Sequence, residues 1–573
     1  MPCAPCSQLI PENRAGRRRR PEKRQNRQGY RVAVFAWRLA RRERWRCCGS
    51  WVPALQAEYY TGKVKIESSA IPLLTLLVCA IVAIEVSSNP SGFVSDDFIH
   101  LVEDSGQAWY FSSDHLYRPL RNGVFKLMPA LLGLNRVAYS ILITAFYLLA
   151  LGLFWRLGQR FGLRSWAAGT AAAIAFLSPR NHALLFWFAT FQDLVAVVCL
   201  LGILLCWIQF RNRSDSGLDA NVPYSSAILL FAVAIGMKET AIVYPALVLA
   251  TDVFLRWESR AEWRPSWKWC KPYLGFSLPV LVFIVFVYWY PDGQFRFQQS
   301  QGDLRSVYGQ TGIAGVVLAE IKSLAHTITP FGGALVYRNP DPMVVLGIGF
   351  SLAFFAFVAW WSKRFSLWIW ALAWCCFALA PTSVFARSVL ADYYLFTAQM
   401  AVALATAASI QALPLAATRR KLILAALGLI FLVGGASSLI RQGREWSYTA
   451  AEANRVGQSI AAQTRGIDKG QVMLVGVPHS DFDKPILNNG IRGCLRLYGA
   501  AAGIDWHVLH DIRMENSEAS KLRAAMGTCA TVAGAAPNAQ VVVDVVNPPR
   551  AYKDDCRVRI VLDHFAKNKE LWY

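Results

Sequence analysis

Long apolar runs constrain the fold of this chain more than any other feature. A helix needs about 20 mostly apolar residues to cross the hydrocarbon of a bilayer. Runs of that kind occur at residues 70–86, 137–155, 166–177, 191–210, 225–237, 240–255, 273–290, 343–361, 365–385, 393–413 and 422–440. Hydrophobic residues make up 55% of the chain, more than a soluble domain usually carries. The sequence therefore predicts an α-helical polytopic membrane protein with about eleven transmembrane helices.

A basic arm precedes the first run. The formal net charge of the chain is +22, and residues 14–46 alone hold fourteen Lys or Arg against two Glu. Such an arm before a membrane helix is typical of a cytoplasmic segment that faces anionic lipid. Nucleic-acid binding would require a recognisable module, and the arm contains none. We therefore predict that residues 1–68 form a disordered cytoplasmic arm, with the bilayer and not nucleic acid as its partner.

Basic residues in the short loops orient the predicted helices, because cytoplasmic loops collect Lys and Arg. Such clusters follow the second, fourth and sixth runs. Later clusters lie on the same side if residues 313–336 do not cross, and Glu320, Lys322 and His326 favour a surface or re-entrant helix there. The predicted membrane part, residues 69–440, then has a cytoplasmic N-terminus in a bacterial-type inner or plasma membrane. Its acid-bearing loops, 87–136 and 291–342, are extracytoplasmic.

The composition changes after the last run. Residues 441–573 are mixed and polar, with β-rich stretches at 472–477, 541–546 and 558–562 and a helical stretch at 517–526. This alternation predicts a small C-terminal α/β domain, which lies outside the membrane if the orientation holds. An outside location would also allow one disulfide among Cys494, Cys529 and Cys556.

An adjacent acid pair, Asp96 and Asp97, lies where the chain leaves the first run. In one interpretation these aspartates accept backbone N–H bonds at a helix start. In the other, a carboxylate at the mouth of a membrane cavity acts as a general base or binds a metal ion. His100 follows Asp96 at a spacing of four residues, so the two could share a helix face. No recognised metal motif accompanies them, so no metal ligand is assigned and a divalent metal stays open.

Further ionisable residues lie in the other predicted outer loops. Arg180 and His182 follow the third run and could contact a phosphate, or could belong to a plain turn. Asp193 begins the fourth run, where a carboxylate needs a specific partner. Lys238 and Glu239 occupy a tight hairpin, where Lys238 is either solvated or placed to neutralise a phosphate.

The order of these elements resembles the GT-C glycosyltransferases. The resemblance rests on Ser-Asp-Asp at 95–97, Tyr-Arg-Pro-Leu at 117–120, Pro179 with Trp187 and Asp193, and Lys238-Glu239 with Pro245 and Asp252. The branch that it resembles most is that of the protein O-mannosyltransferases. The later Arg-Tyr-Leu-Tyr element of that branch is replaced here by Asp392-Tyr393-Tyr394-Leu395. The resemblance therefore specifies the superfamily, but it specifies neither the sugar that is transferred nor the acceptor.

The resemblance implies a chemistry for the candidate residues. A polyprenyl-phosphate-linked sugar would be the donor, and a hydroxyl of a protein, lipid or glycan would be the acceptor, with inversion at the sugar. Asp96 would be the catalytic carboxylate with Asp97 second, and Arg118 and Lys238 would line the donor-phosphate side. A non-catalytic lipid-binding or transport protein, or an enzyme of the O-antigen ligase or polymerase type, is the alternative. Internal symmetry, typical of transporters, is not detected in the sequence.

Overall fold

The computed structural model of the chain describes residues 71–88, 92–103, 118–258, 266–289, 313–328, 342–383, 392–478, 480–481, 484–487, 490–511, 518–527, 541–544, 550–553 and 556–568. These residues are mostly helical. The predicted basic arm lies outside the described residues, as does Tyr117 of the Tyr-Arg-Pro-Leu element. Residues 64–573 form one compact unit.

Seventeen α-helices precede the first strand in the described part of the chain. They are α1 Ile71–Ser88, α2 Asp96–Phe98, α3 Pro119–Leu132, α4 Arg136–Arg160, α5 Ser165–Phe176, α6 His182–Phe186, α7 Phe191–Asp215, α8 Asn221–Met237, α9 Tyr244–Glu258, α10 Trp267–Cys270, α11 Ser277–Trp289, α12 Ile313–Ile328, α13 Pro342–Ser362, α14 Phe365–Ser383, α15 Phe396–Ala412, α16 Ala417–Ile430 and α17 Ala436–Gln463. Short 3₁₀ segments lie at Pro179–Asn181, Phe188–Thr190, Glu239–Val243, Lys271–Phe276 and Asp392–Leu395, and π-helical turns at Ile99–Glu103 and Phe431–Gly435.

Seven helical segments of the described chain are long and apolar enough to cross a membrane. They are Arg136–Arg160, Phe188–Asp215, Glu239–Glu258, Trp267–Val285, Phe365–Ser383, Asp392–Ala412 and Ala417–Gln463. Four shorter apolar helices lie at Leu73–Ser88, Ser165–Phe176, Asn221–Met237 and Gly349–Ser362. Each of the eleven predicted runs overlaps one of these segments. The number of crossings stays a prediction, because four of the helices are shorter than a full span.

Two helices form the centre of the bundle. The apolar windows of Phe188–Asp215 and Asp392–Ala412 are 72% and 78% buried, whereas that of Trp267–Val285 is only 6% buried and faces outward. Helix α5 consists largely of Ala and Gly and is almost wholly buried. Small side chains let neighbouring helices approach closely in a membrane, and α4, α15 and α16 all pack against α5.

One helical segment extends past its predicted bounds. Helices α16 and α17 and the turn between them run continuously from Ala417 to Gln463, so helical structure continues well past the predicted end of the membrane part at residue 440.

Helix α12 packs against α14 and α15 and buries Ser323 and His326 on that side. This packing is compatible with the surface or re-entrant helix predicted there. Its placement relative to a bilayer stays a prediction.

The C-terminal part contains a four-stranded sheet. Its strands are β1 Lys469–Pro478, β4 Gly503–Asp511, β5 Val541–Asp544 and β6 Arg550–Lys553 in the order β4-β1-β5-β6, and a separate hairpin joins β2 Ser480–Asp481 to β3 Lys484–Pro485. Strand β1 pairs in parallel with β4 and β5, and β6 pairs antiparallel to β5. Helices α18 Ile491–Leu497, α19 Glu518–Gly527 and α20 Cys556–Lys567 complete this part.

One predicted strand is wrong. Residues 558–562 were expected in a strand because their apolar side chains alternate, but they lie in helix α20. Val561, Leu562 and Phe565 share one helical face and pack against a cluster that contains Met473 and Leu522. The same residues fit a helical period as well as a strand period, and tertiary packing selects the helix. The predicted strands at 472–477 and 541–546 coincide with β1 and β5, and the predicted helix at 517–526 coincides with α19.

Candidate functional site

Four connections meet at one end of the helix bundle. The acid helix α2 contacts Phe188–Thr190, while Asp392–Leu395 contacts both Pro179–Asn181 and α6. The Glu239–Val243 segment contacts α14, whose end leads toward Asp392. All eight candidate residues from the sequence lie on these connections or on the helix starts beside them. The structure therefore places them in one region, although within it they form separate groups.

Asp97 is a buried anchor of the acid helix. Asp97 is only 1% exposed. Its two carboxylate oxygens accept hydrogen bonds from the N–H groups of Val94 at 3.2 Å and Ala189 at 2.8 Å. Burial raises the pKa of Asp97 to about 7, against the opposing effects of the Arg136 charge and of the two backbone N–H groups. Asp97 thus ties α2 to the Phe188–Thr190 turn. It does not cap the start of α2 as the first interpretation predicts, because the N–H groups that it accepts lie outside that helix.

Asp96 has a different environment from its neighbour. It is only partly buried, and Oδ1 accepts a hydrogen bond from the Ser95 hydroxyl at 3.2 Å. His100, expected to share a face with Asp96, is buried with its ring 4.7 Å from that of Phe125. Of the two predicted acids, Asp96 is therefore the more accessible to a substrate.

Arg136, which sequence reasoning missed, lies behind the acid helix. This residue begins α4, where the Asn135 side chain caps the helix by accepting the Val137 N–H at 3.1 Å. The buried guanidinium donates to the carbonyl of Phe186, and its charge acts on Asp97. An arginine at a helix start gives no motif in sequence. Its role could be found only from the three-dimensional contact.

Arg118 and Glu239 form a bidentate ion pair across the bundle. The Arg118 side chain is 6% exposed. Its Nε donates to Glu239 Oε2, and its Nη2 donates to Glu239 Oε1 at 2.7 Å. The other terminal nitrogen donates to Gln192 Oε1 at 2.9 Å. Pro119 follows Arg118 as the first residue of α3, where proline favours a helix start and fixes the approach of the arginine.

Lys238 and Asp193 form a second buried pair. The Lys238 ammonium lies 3.2 Å from Asp193 Oδ1, and the two side chains are 3% and 12% exposed. The ammonium also lies 5.3 Å from the centre of the Tyr394 ring, within cation–π range. The alternative in which Lys238 is solvated at its hairpin is therefore wrong. Asp193 has the specific partner that its position required.

Arg180 and His182 gather around Asp392 instead. Arg180 donates to Asp392 Oδ1 at 3.0 Å, and His182 Nε2 lies 3.8 Å from Oδ2. The Trp446 indole donates to His182 Nδ1 at 2.9 Å. His326 of α12 lies within electrostatic range of Arg180 and Asp392. Asp392 and Trp446 were not predicted as site residues, since they are remote in sequence from the residues they contact.

Tyr393 joins these groups. It lies within electrostatic range of both Asp96 and Asp193 and packs edge-on against Trp187. With Tyr394, Asp193 and Tyr244 it lines a cavity of about 30 Å³. That volume holds water rather than a larger ligand. Lys238, Arg118 and Arg180 each have a carboxylate partner.

The described residues around the acid pair do not form a divalent metal site. Among the described residues, no three His, Cys, Asp or Glu side chains lie close enough together to hold an ion. Both oxygens of Asp97 are engaged by backbone N–H groups, and His100 packs against an aromatic ring. Hard divalent cations bind several oxygen ligands together, which this arrangement does not offer. The steps proposed below therefore use only the side chains of the chain.

Comparisons with known proteins gave structural matches only. No family model matches the sequence, and no curated protein matches it. ArnT from Cupriavidus metallidurans in the apo state has a TM-score of 0.45 and 13% identity over 83% of this chain and 93% of that chain. The same protein bound to undecaprenyl phosphate has a TM-score of 0.43 and 13% identity over 74% and 84%. An oligosaccharyltransferase from Archaeoglobus fulgidus tethered with an acceptor peptide has 0.43 and 12% over 71% and 62%. Similarity at this level does not by itself assign a function.

Proposed function

We propose that the protein is an integral membrane glycosyltransferase that moves a sugar from a polyprenyl phosphate to an acceptor hydroxyl on the extracytoplasmic side. The observation that carries this proposal is the convergence of a partly exposed carboxylate, Asp96, with the buried Lys238–Asp193 pair beside Tyr393. The first supplies a base at an accessible rim. The second keeps a cation where a phosphate would depart.

In the proposed reaction Asp96 accepts the proton of the acceptor hydroxyl. The acceptor oxygen forms a bond to the anomeric carbon as the bond from that carbon to the phosphate oxygen breaks, and the electron pair leaves with the phosphate. One displacement inverts the configuration at the sugar. A general base of this kind contributes about 10²–10⁴-fold in rate.

The cations act on the leaving group. Lys238 and Arg118 would bind the departing polyprenyl phosphate while they keep Asp193 and Glu239 as partners, so that no buried carboxylate is left unpaired. In the resting protein the carboxylates hold both cations in place without leaving a buried charge unpaired. Arg180 and His182, beside Asp392, would contact the sugar or its phosphate from the other side.

The donor lipid would bind along apolar helix surfaces. Leu127 and Leu131 of α3 and Leu229 of α8 are 56%, 71% and 66% exposed, and α3 and α8 pack against each other beneath Arg118 and Lys238. Burial of prenyl groups against such surfaces contributes about 25 cal/mol per Å² of apolar area. The phosphate end would then face the two ion pairs.

The test measures transfer from a panel of polyprenyl-phosphate sugars, each labelled in the sugar, by membranes that contain the full-length protein. We expect wild type to use at least one donor and Asp96→Asn to lose about 100-fold or more of that activity. Asp215→Asn, the same change at a half-exposed acid at the far end of α7, should keep wild-type activity. Full activity of Asp96→Asn at equal expression, or no transfer by wild type from any donor, would overturn the proposal.

A further inference from the structure

The C-terminal part of the chain touches the acid helix directly. The Ser95 N–H donates to the carbonyl of Ile486 at 2.8 Å. Gly490 lies so close that a Cβ atom there would be 1.8 Å from the Ser95 carbonyl oxygen and 3.1 Å from Phe98 Cβ. The neighbouring atom is backbone, so a side chain at position 490 would have to displace the acid helix or the segment that carries it. Only glycine permits this approach.

Ser95 has an uncommon backbone conformation at this contact. Its φ is 42° with ψ at −117°, a region that residues with a side chain rarely adopt. Such a conformation persists only where the surroundings hold it. The Ser95 N–H donates to the Ile486 carbonyl, and the Ser95 hydroxyl donates to Asp96 Oδ1. The residue that orients Asp96 is therefore itself held by the C-terminal part.

The holding segment is in turn fixed to helix α17. The Tyr498 hydroxyl donates to Asn454 Oδ1 at 2.7 Å. A Cβ atom at Gly457 would lie 2.4 Å from Cys494 Sγ, so α17 and α18 pack at close range. Asn454 also reaches the start of the acid loop, where a Cβ atom at Gly92 would lie 2.3 Å from its Nδ2. Helix α17 thus meets the acid loop both directly and through α18.

Asp97 is fixed from the opposite side. Its oxygens bind the backbone of Ala189 and Val94, which belong to the helix bundle and to the acid loop itself. The bundle therefore anchors the acid helix through Asp97, and the C-terminal contacts lie on the side of Ser95. What they add is the direction in which Asp96 points.

We propose that residues 486–487 and 490–497 form a positioning element for Asp96, with Gly490 and the Ile486 carbonyl as its contacts. This inference rests on the proposed function, since it assigns the C-terminal part a role in the same reaction. The element does not touch the substrate. It acts through Ser95 by holding the carboxylate toward the acceptor hydroxyl.

The experiment compares Gly490→Ala with Gly152→Ala in the full chain, because a Cβ atom at Gly152 meets nothing within 4 Å. Rates are normalised to the amount of folded protein after purification. We expect Gly490→Ala to lower kcat at least tenfold with the donor KM within about threefold, since a misdirected base affects the transition state more than donor binding. Gly152→Ala should match wild type. A purely structural role would lower the folded yield and leave kcat per folded molecule unchanged, which would overturn the inference.

A milder variant covers the case in which Gly490→Ala does not fold. Tyr498→Phe removes the hydroxyl that bonds to Asn454 and also contacts Gln458, and we expect a severalfold fall in kcat at unchanged donor KM. Tyr224→Phe loses a similar bond, to the Pro272 carbonyl at the far end of the bundle, and should keep wild-type kcat. Equal kcat for these two variants would reject the positioning role. If Asp96→Asn keeps full activity, the proposed function fails instead, and the two failures are distinguishable.

Discussion

The ammonium of Lys238 lies 3.2 Å from Asp193 Oδ1, which joins the hairpin after α8 to the first turn of α7. Both side chains are largely buried, so each charge depends on the other. The pair sits beside the cavity lined by Tyr393 and Tyr394. Its arrangement predicts different outcomes for stability and for activity.

Neutralising one member should destabilise the protein more than neutralising both. Lys238→Gln or Asp193→Asn alone leaves a buried unpaired charge, at a cost of about 3–5 kcal/mol. The double variant removes both charges, and its Tm should lie above that of either single variant. Its transfer activity should stay lost, because the Lys238 ammonium, one of the two cations proposed for the phosphate, is absent. Thermal unfolding in detergent and the transfer assay measure the two effects.

A surface pair serves as the matched control for this cycle. Arg455 and Glu452 pair at 2.6 Å on the side of α17, with 41% of the arginine side chain exposed. Neutralising either should cost less than about 1 kcal/mol and leave activity unchanged. Recovery of activity in the Lys238→Gln/Asp193→Asn protein would show that Lys238 has only a structural role.

Arg118→Lys should impair the protein although it keeps the charge. The guanidinium makes two hydrogen bonds to Glu239 and one to Gln192, and an ammonium cannot reproduce this planar geometry. We expect a loss of about 2 kcal/mol in stability and at least a tenfold loss of transfer activity. Arg156→Lys, which affects a single hydrogen bond to Gln159 toward the other end of α4, should change neither. Wild-type behaviour of Arg118→Lys would mean that the bidentate geometry is not required.

Much of the fold could be predicted from the sequence, because apolar runs and loop charges are local signals. The position of each run follows from its own residues, and each overlaps an apolar helix. The candidate ionisable residues were conspicuous in the sequence because they lie beside apolar runs, and their role stays a prediction. Their grouping was not found. Arg180 pairs with Asp392, which lies 212 positions further along, and no spacing rule connects them.

The contact between the C-terminal part and the acid helix could not be predicted either. Gly490 and Ser95 belong to segments separated by most of the membrane part, and a glycine in a polar region resembles any turn glycine. Strand β4, Gly503–Asp511, was also missed, although Ile504, Trp506 and Val508 alternate with polar residues and gave a local signal. For the contact with the acid helix, in contrast, long-range packing and not local preference determines the structure.

The raised pKa of Asp97 predicts how stability depends on pH. An unfolded aspartate has a pKa of about 3.9, whereas burial places that of Asp97 at about 7. The folded state therefore holds a proton more tightly, so this group contributes stability that is fully present below about pH 4 and is lost as pH rises through about 7. Asp97→Asn cannot titrate and should lack this component. Thermal unfolding of both proteins between pH 5 and pH 8 measures the difference, and parallel curves would contradict the assignment.

Trp446→Phe should alter donor binding through His182. The indole N–H bonds His182 Nδ1 at 2.9 Å, which leaves Nε2 to carry the proton toward Asp392, 3.8 Å away. Phenylalanine keeps a ring to stack on Trp187, whose centroid lies 5.8 Å from that of Trp446, but it frees the imidazole to rotate. If His182 contacts the donor, the KM of Trp446→Phe for the donor should rise severalfold while its kcat stays within about twofold of wild type. The lost hydrogen bond should cost about 1 kcal/mol in stability.

Trp368→Phe provides the comparison for that variant. Its indole N–H bonds Ser409 Oγ at 3.0 Å, near the start of α14 and the end of α15, which is the end of these helices remote from Asp392. The change in side chain and the number of lost hydrogen bonds are the same, so the stability cost should be similar. Only the position relative to His182 differs, and donor KM should therefore stay at the wild-type value. Equal donor KM values for the two variants would remove His182 from the donor site and leave it as a structural partner of Asp392.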